Sequence, residues 1–282
     1  MTEANLQYQG IQIPRLGFGT WKLKGEDCRG AVQEALDIGY RHIDTAQMYE
    51  NEREVGQAID QSPVPRSEIF LTTKIWRDSM REGDLQHSLE NSLRRLGMDY
   101  VDLTLLHWPV EEVPFEETMR ALEDVQRQGK TRLIGISNFN TDQMKRVVND
   151  LGAPVVTNQV EYHPLLNQDP VLSFLRNNGM FLTAYSPLAR NQMIGDNRTF
   201  RSIAENHGKT PQQIALRWLV QQPDVAAIPK AGRREHAEQN IDIFDFSLSP
   251  AEMERISELR FKQERLVEPS FAPQWDTPRK AG

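Results

Sequence analysis

The feature that most constrains the fold of this chain is a regular alternation of short apolar segments with longer amphipathic ones. The longer segments have helical periodicity: GDLQHSLENSLRRLG places four leucines on one helix face and ends at Gly97. Alternating strands and helices predict parallel strands joined by right-handed crossovers. The eight strand segments are RLGFGT, RHIDTA, EIFLTTKI, YVDLTLLHW, TRLIGISN, VVTNQVE, FLTAYSPL and VAAIPK.

Eight strand–helix units in 282 residues match a (β/α)8 TIM barrel. A doubly wound open sheet is the alternative, but Lys22 in GFGTWK stands where a dinucleotide-binding turn would have its third glycine. Before the first unit, LQYQGIQIP has two short segments around Gly10, which predicts a β-hairpin. We therefore predict a single barrel domain over residues 1–282, with a short N-terminal β-hairpin and a C-terminal tail near the pocket.

Composition and charge exclude several classes of partner. The net charge is −7 and the basic residues are scattered, whereas nucleic-acid binding requires a clustered basic face. No apolar run approaches the roughly 20 residues of a membrane helix, and MTEANLQYQG lacks the pattern of a signal peptide. Cys28 is the single cysteine and cannot form an internal disulfide, which favours a reducing compartment. We expect a cytoplasmic monomer that acts on a small molecule, without nucleic acid or membrane as partner.

Polar side chains gather at the C-terminal ends of the predicted strands, where the active sites of TIM barrels lie. Each could have a purely structural role: Asp44 could cap a helix, Lys74 could be solvated and His107 could be a buried core histidine. The convergence of several ionisable groups on one rim instead favours an active site. The residues at these ends are Thr20, Trp21, Asp44, Lys74, His107, Trp108, Ser137, Asn138, Gln159, Glu161, Tyr185, Ser186 and Lys230.

Four residues at this rim have a joint chemical role. A buried Lys74 held against Asp44 stays charged, and its field favours the phenolate form of neighbouring Tyr49, which predicts a lowered phenol pKa. Such a phenol can donate a proton to a developing alkoxide near neutral pH. His107 can hydrogen-bond the same oxygen and orient a carbonyl group. The set therefore suits reduction of a carbonyl by hydride from a cofactor.

Tryptophans supply the apolar wall of this predicted pocket. Trp21, Trp76 and Trp108 follow the first, third and fourth strands, so we expect them to surround the substrate. Trp275 lies in the C-terminal tail, where it either folds over the pocket or packs against the barrel. The predicted substrate pocket consists of Trp21, Tyr49, Trp76, His107, Trp108 and Trp275.

Eight longer motifs follow one another along the chain: GFGTW, IDTAQMYENE, LTTKIW, LLHWP, IGISNF, NQVEYHP, AYSPL and IPKAGRREHAEQN. In this order and at these barrel positions, they resemble the aldo-keto reductases over essentially the whole chain. The resemblance implies NAD(P)H-dependent reduction of aldehydes and ketones to alcohols. It also implies a catalytic tetrad with Tyr49 as proton donor, formed by Asp44, Tyr49, Lys74 and His107.

The same resemblance implies the contacts with the cofactor. Ser137, Asn138 and Gln159 would hold the nicotinamide carboxamide, and Tyr185 would stack on its ring. Residues 186–188 would run along the pyrophosphate, and the loop that starts at Lys230 would bind the adenosine phosphate. The implied cofactor-binding set is Thr20, Trp21, Asp44, Ser137, Asn138, Gln159, Tyr185, Ser186, Pro187, Leu188, Lys230, Ala231, Gly232, Arg233, His236, Gln239 and Asn240.

The phosphate loop departs from the family pattern. Ala231 and Gly232 stand where hydroxyl side chains are usual, and His236 occupies the position of an arginine. A neutral histidine lacks the charged planar fork that an arginine offers to a 2′-phosphate. Arg233 and Arg234 lie nearby and either compensate or form a solvated charge pair. We expect NADPH to be used with weakened discrimination against NADH.

The C-terminal segment RLVEPSFAPQW most resembles that of bacterial 2,5-diketo-D-gluconate reductases. This resemblance implies reduction of 2,5-diketo-D-gluconate to 2-keto-L-gulonate, of small α-dicarbonyls such as methylglyoxal, or of both. Two other functions stay open: a Schiff-base aldolase that uses Lys74, and a non-catalytic cofactor-sensing subunit on the same barrel. No metal site is predicted, because the histidines show no metal-binding spacing.

Overall fold

The computed structural model describes residues 4–278, and its first element is a hairpin. Strands β1 (Asn5–Tyr8) and β2 (Ile11–Pro14) pair antiparallel, and the turn between them places Gln9 and Gly10 at φ of 50° and 78°. Positive φ at both central residues suits a two-residue hairpin turn, and glycine adopts it without strain. The hairpin prediction is therefore confirmed. Residues 1–3 and 279–282 of the predicted domain lie outside the described residues.

Eight parallel strands follow and form one sheet in chain order. The sheet closes on itself at its edges: the Gly17 N–H donates to the Ala227 oxygen at 2.8 Å, and the Ala227 N–H donates to the Arg15 oxygen at 2.7 Å. This is the (β/α)8 barrel that the alternation predicted. The strands are β3 (Phe18–Gly19), β4 (His42–Asp44), β5 (Phe70–Ile75), β6 (Val101–Leu106), β7 (Thr131–Ser137), β8 (Thr157–Glu161), β9 (Phe181–Tyr185) and β10 (Val225–Ala227).

Helices connect successive strands and cover the outside of the barrel. They are α1 (Gly25–Ile38), α2 (Glu52–Asp60), α3 (Asp84–Leu96), α4 (Phe115–Arg127), α5 (Thr141–Met144), α6 (Asp169–Asn177), α7 (Asn191–Gly195), α8 (Arg198–His207), α9 (Pro211–Val220), α10 (Arg234–Ile241) and α11 (Pro250–Ser257). The four leucines of α3 are buried as predicted, and Gly97 ends this helix with a φ of 66°. No helix within residues 4–278 is long and apolar enough to span a bilayer.

Shorter helical turns complete the connections. Helix α5 continues as a π-helix over Lys145–Asp150, and the connection from β9 to β10 holds the three helices α7, α8 and α9. Turns of 3₁₀-helix cover Gln47–Tyr49, Arg66–Glu68, Arg77–Ser79 and Glu258–Lys262. The first of these turns directly follows β4 and carries the predicted proton donor.

The N-terminal end of the barrel is filled by apolar side chains. Leu6 and Ile13 of the hairpin pack against this end, and the rings of Tyr8 and Phe181 lie 4.8 Å apart between centroids. Burial of such side chains contributes about 1.5–3 kcal/mol each to folding. This bottom cluster comprises Leu6, Ile13, Phe70, Leu103, Leu105, Leu133, Val156, Phe181 and Ala226.

The C-terminal tail, residues 263–278, packs against the opposite rim of the barrel. The Phe271 ring lies 5.4 Å from Trp108 and 6.1 Å from Trp76, and the Trp275 ring lies 6.1 Å from Trp108. Val267 lines a cavity at this rim. The predicted position of the tail near the pocket is therefore confirmed.

Candidate active site

A buried ion pair lies at the rim on two neighbouring strands. Asp44 ends β4 and Lys74 lies in β5; the two side chains are in contact and are 1% and 0% exposed. The Lys74 Nζ also donates to the main-chain oxygen of Thr45 at 2.9 Å and to the Tyr49 hydroxyl oxygen at 3.3 Å. An ammonium group has three N–H donors, and each has an acceptor here. This geometry holds Lys74 as a cation beside the Tyr49 phenol.

The Asp44 carboxylate is fixed on its other side by Gln159. The Gln159 Nε2 donates to the Asp44 Oδ2 at 2.9 Å, across the barrel from β8. The main-chain oxygen of Asp44 accepts from the Thr20 N–H and hydroxyl at 3.1 and 3.0 Å. A buried carboxylate requires such partners, because an unpaired one is strongly destabilising. Side chains from β4, β5 and β8 thus form one hydrogen-bonded unit.

Tyr49 is the last residue of the 3₁₀ turn above β4, and the Gln47 side chain fixes this turn. The Gln47 Nε2 donates to the Ser88 and Ser92 hydroxyl oxygens, each at 2.9 Å. Its Oε1 accepts from the Trp76 N–H at 2.8 Å. Because both ends of this amide are engaged, the turn holds the phenol in one position above the ion pair.

Burial shifts the pKa values of three rim groups. It raises the pKa of Tyr49 well above its ordinary value, and the Asp44 carboxylate adds to that shift. It lowers the pKa of Lys74, while the contact with Asp44 acts in the opposite direction. It lowers the pKa of His107 well below its ordinary value, and the charge of Lys74 adds to that shift. The predicted lowering of the Tyr49 pKa is therefore wrong, because desolvation and the charge of Asp44 both raise it.

His107 presents a ring nitrogen that lacks a partner. Its Nδ1 is buried and forms no hydrogen bond with any residue in the described part of the chain. The ring packs edge-on against Trp76 and Tyr49, with centroids 5.1 and 5.8 Å away. The Asn138 Nδ2 holds the backbone by donating to the His107 oxygen at 3.0 Å. His107 also lines the cavity at this rim, which suits it for contact with a substrate.

The ends of β7, β8 and β9 form a polar wall beside these groups. The Ser137 hydroxyl donates to the main-chain oxygen of Gln159 at 2.7 Å, and the Tyr185 hydroxyl donates to the Asn138 Oδ1 at 2.9 Å. Asn138 has a φ of 65°, a left-handed conformation that asparagine tolerates better than most residues. The structure therefore brings together the four residues that the resemblance assigns to the nicotinamide.

The rim groups surround one cavity of about 780 Å³, a volume that includes its solvent-filled mouth. Trp21 and Met48 stand at the mouth, and each is 43% exposed. The lining residues are Gly19, Thr20, Trp21, Asp44, Met48, Tyr49, His107, Trp108, Ser137, Asn138, Gln159, Tyr185, Ser186, Pro187, Ile228, Lys230 and Val267.

The tryptophans of the predicted pocket occupy two layers. Trp21 and Trp108 line the cavity directly. Trp76 instead contacts the His107 ring at 5.1 Å, and Trp275 contacts the Trp108 ring at 6.1 Å. Trp76 and Trp275 are not among the residues that line the cavity, in contrast to the predicted pocket.

The predicted phosphate loop runs from the cavity to the start of α10. Lys230 lines the cavity, and Arg233 immediately precedes α10. A helix N-terminus favours anions, because its N–H groups are unpaired and its dipole is positive there. Arg234 pairs with Glu238 at 2.8 Å, whereas Arg233 forms no ion pair with any described residue. Leu188, Ala231 and Asn240 are buried, and Gly232, Arg233, His236 and Gln239 are exposed.

Some residues that shape the site were not identified from the sequence. Met48 and Val267 line the cavity, and Asn51 holds its loops together. Asn51 is fully buried and donates to the Thr20 and Leu23 oxygens at 2.9 and 3.0 Å. Its place before α2 is typical of a helix cap, yet the side chain makes no capping hydrogen bond. The local sequence does not distinguish these two uses of an asparagine.

Comparison with known proteins gives the class to which this geometry belongs. Residues 15–260 match the sequence model of the Aldo/keto reductase family. The chain therefore belongs to the aldo/keto reductase family. It is an oxidoreductase of a family that uses nicotinamide cofactors.

Individual relatives resemble the chain over nearly its whole length. It is 41% identical to the methylglyoxal reductase DkgB of Escherichia coli O157:H7, over 94% of this chain and 100% of that one. It is 39% identical to the glyoxal reductase of Bacillus subtilis (strain 168), over 92% and 93% of the two chains. A crystal structure provisionally called 2,5-diketo-D-gluconic acid reductase B is 47% identical, with a TM-score of 0.92 over 95% of each chain.

Proposed function

We propose that this protein reduces small uncharged α-dicarbonyls of the methylglyoxal type with NADPH, and that Tyr49 donates the proton. The proposal rests on the position of the Tyr49 hydroxyl, 3.3 Å from the buried Lys74, and on the presence of Tyr49 and His107 in one cavity. Similar proteins named methylglyoxal reductase and glyoxal reductase support this substrate class. The protein would act as a monomer on a diffusible substrate.

The proton transfer involves three side chains of the tetrad. Reduced nicotinamide, when bound, supplies the hydride to the carbonyl carbon. Negative charge develops on the carbonyl oxygen, and the Tyr49 hydroxyl can donate its proton to that oxygen. The Lys74 ammonium, held by Asp44, stabilises the phenolate that remains. Because the pKa of Tyr49 is raised, the phenol keeps its proton until the strongly basic alkoxide is present.

His107 would orient the carbonyl group. A lowered pKa keeps the His107 imidazole neutral at neutral pH, so one ring nitrogen carries a proton and can donate to the substrate oxygen. A neutral ring also avoids a second positive charge next to Lys74. His107 and Tyr49 lie in ring contact at 5.8 Å, so one oxygen can reach both groups.

The wall at β7 to β9 fits a nicotinamide. Asn138 and Gln159 carry amides, which can both donate to and accept from a carboxamide. Tyr185 lines the same cavity and offers an aromatic ring for stacking. Ser137 adds a hydroxyl group. These residues would hold the ring of the cofactor next to the tetrad.

The charges around the cavity favour an uncharged substrate. Among the described residues that line it, Lys230 is the one cation, and the resemblance assigns Lys230 to the cofactor phosphate. Trp21, Met48, Trp108 and Val267 are apolar. The carboxylate of 2,5-diketo-D-gluconate would lose hydration here without gaining a cationic partner, which is unfavourable. Methylglyoxal has no such group.

The substrate proposal is tested by comparing kcat/KM for the two compounds with NADPH as the reductant. We expect methylglyoxal to exceed 2,5-diketo-D-gluconate by at least about tenfold, which corresponds to about 1.4 kcal/mol. Equal values, or a preference for the sugar acid, would contradict the proposal. Absence of turnover on either compound would favour the cofactor-sensing alternative.

The preference for NADPH over NADH would depend on Arg233. Because Glu238 already pairs with Arg234, Arg233 is the guanidinium left to contact a 2′-phosphate. We propose a moderate preference for NADPH, tested by the dissociation constants of both cofactors. A preference above about a thousandfold, roughly 4 kcal/mol, would contradict it. Arg233→Ala should weaken NADPH binding more than Arg234→Ala does, and should leave NADH binding unchanged.

The aldolase alternative is disfavoured by the geometry of Lys74. A Schiff base requires an amine with a free lone pair, whereas the Lys74 Nζ is surrounded by Asp44, the Thr45 oxygen and the Tyr49 hydroxyl. Treatment with borohydride and methylglyoxal in the absence of nicotinamide should therefore leave Lys74 unmodified. An adduct on Lys74, identified by mass spectrometry, would support the aldolase.

A further inference from the structure

One buried carboxylate at the rim has no role in the proposed proton transfer. Glu161 ends β8 and its side chain is 0% exposed. Its Oε1 accepts from the Leu266 N–H at 2.7 Å and lies 3.0 Å from the His163 Nε2. Its Oε2 accepts from the Val267 N–H at 2.9 Å. Glu161 therefore ties the C-terminal tail to the barrel through two main-chain amides.

The loop after β8 presents this carboxylate to the tail. The Leu165 N–H donates to the His163 Nδ1 at 3.3 Å, so the ring proton lies on Nε2 and points at Glu161. The main-chain oxygen of Leu165 accepts from the Glu264 N–H at 3.0 Å, next to the tail residues that Glu161 binds. Contacts within the loop after β8 thus fix the imidazole partner of this carboxylate next to the tail.

The anchored tail forms the substrate side of the cavity. Val267, whose amide binds Glu161, also lines the cavity. Phe271 supports the Trp108 wall at 5.4 Å. Further along, the Asp276 carboxylate accepts from the Thr141 N–H at 3.0 Å. The tail is therefore held at two places, and Glu161 is the attachment nearer to the cavity.

We infer that Glu161 is a positioning residue that sets substrate affinity by seating the C-terminal tail. It acts through Val267 and the tail aromatics, since Glu161 itself does not line the cavity. Loss of the anchor should weaken substrate binding more than it slows turnover of bound substrate. The kinetic readout of this inference rests on the proposed reduction of α-dicarbonyls, whereas its structural readout does not.

Glu161→Gln tests the inference with the smallest change in shape. Both carboxylate oxygens accept tail N–H groups, so a glutamine amide must turn its NH₂ towards one of them in either orientation. We expect KM for methylglyoxal to rise by at least about fivefold, while kcat per cofactor-binding site changes by less than about twofold. Hydrogen exchange should increase at the amides of residues 264–278 and stay unchanged in the barrel strands.

Two further variants separate positioning from folding. Glu252→Gln is the matched control, because Glu252 also contacts a histidine, His207, at 3.0 Å, but belongs to the capping box of α11 and forms no hydrogen bond with the described residues of the tail. It should leave KM and tail exchange unchanged. Leu266→Pro removes one tail donor and leaves the barrel residues intact, so it decides the question if Glu161→Gln does not fold. It should reproduce the rise in KM and the local increase in exchange.

The outcomes distinguish this inference from the proposed function. If tail exchange and KM stay at native values in folded Glu161→Gln or in Leu266→Pro, the inference is overturned. A fall in the active fraction with unchanged KM indicates a purely structural role and also overturns it. If the native protein does not reduce methylglyoxal, the proposed function fails, and tail exchange alone then decides whether Glu161 seats the tail.

Discussion

The two ends of the barrel bury side chains equally well but use them differently. At the N-terminal end, Phe181 is 0% exposed and packs with the apolar hairpin. At the C-terminal end, Lys74 is also 0% exposed, yet it contacts Asp44 and the Tyr49 hydroxyl. Depth of burial therefore does not distinguish a stabilising residue from a reactive one. The chemical partners of the buried group make that distinction.

The two kinds of burial also differ in their contribution to stability. Apolar contacts at the bottom of the barrel stabilise the fold directly. A buried ion pair is weak support for stability, because desolvation of both charges offsets their attraction. The Asp44–Lys74 pair is therefore explained better by its effect on Tyr49 than by any gain in folding free energy.

Lys74→Met should give the largest effect, because it should lower both stability and activity at the C-terminal end of the barrel. It leaves Asp44 buried without its cation, which should lower the free energy of unfolding by about 3–5 kcal/mol. Loss of the group that stabilises the phenolate should lower kcat by at least about a hundredfold. Urea unfolding and steady-state reduction of methylglyoxal measure the two effects.

The matched control for this variant is Lys209→Met. Lys209 pairs with Asp242 and Asp245 at 2.7 and 2.8 Å near the surface, away from the cavity. Its loss should lower stability by less than about 1 kcal/mol and leave kcat unchanged. If both substitutions changed the unfolding free energy and kcat equally, the special role of the buried ion pair at the C-terminal end of the barrel would be contradicted.

Phe181→Ala should affect stability alone. Removal of this fully buried ring from the bottom cluster should lower the free energy of unfolding by about 3–5 kcal/mol. The folded fraction should retain the native KM for methylglyoxal and the native affinity for NADPH. Those two constants, measured on protein that is folded by circular dichroism, check the prediction; a large change in KM would show that the ends are coupled.

Two buried histidines should make the free energy of unfolding depend on pH. Burial lowers the pKa of His42 and, more strongly, of His107. Below the ordinary imidazole pKa of about 6.5, the unfolded chain binds protons that the folded chain does not. The free energy of unfolding should therefore be highest above about pH 6.5. As the pH falls below that value, it should decrease by up to about 1.4 kcal/mol per pH unit for each of the two rings.

His107→Gln should remove the contribution of His107 to this pH dependence and leave that of His42. The variant lacks one of the two buried imidazoles, so the decline in unfolding free energy below about pH 6.5 should be shallower than in the native protein. Urea unfolding of both proteins between about pH 5 and about pH 8 measures the difference. Parallel curves would contradict the buried, neutral state of His107.

Much of the fold could be predicted because its signal is local. Strand segments such as EIFLTTKI and the leucine face of α3 are visible within a dozen residues, and their alternation fixes the order of the barrel. The π-helix over Lys145–Asp150 has no comparable pattern in the sequence. Its form depends on packing against the barrel, which the sequence does not display.

The grouping of the candidate site residues could be predicted better than their geometry. The places of Asp44, Lys74, Tyr49 and His107 at or after strand ends predict that they meet at one rim, and the structure brings them together there. The predicted direction of the Tyr49 pKa shift was wrong, because this shift depends on how completely the folded protein excludes water from the phenol. The anchoring of the tail by Glu161 joins residues 105 positions apart, so no spacing rule could find it.

The most direct test of the central claim compares two tyrosines of the same cavity. Tyr49 and Tyr185 both line it, but Tyr49 contacts Lys74 whereas Tyr185 donates to Asn138. The measurement is the rate of NADPH oxidation with methylglyoxal for the native protein, Tyr49→Phe and Tyr185→Phe. We predict that Tyr49→Phe loses at least about a thousandfold in kcat and still binds NADPH, while Tyr185→Phe stays within about tenfold. Comparable activity of Tyr49→Phe and Tyr185→Phe would contradict the assignment of Tyr49 as the proton donor.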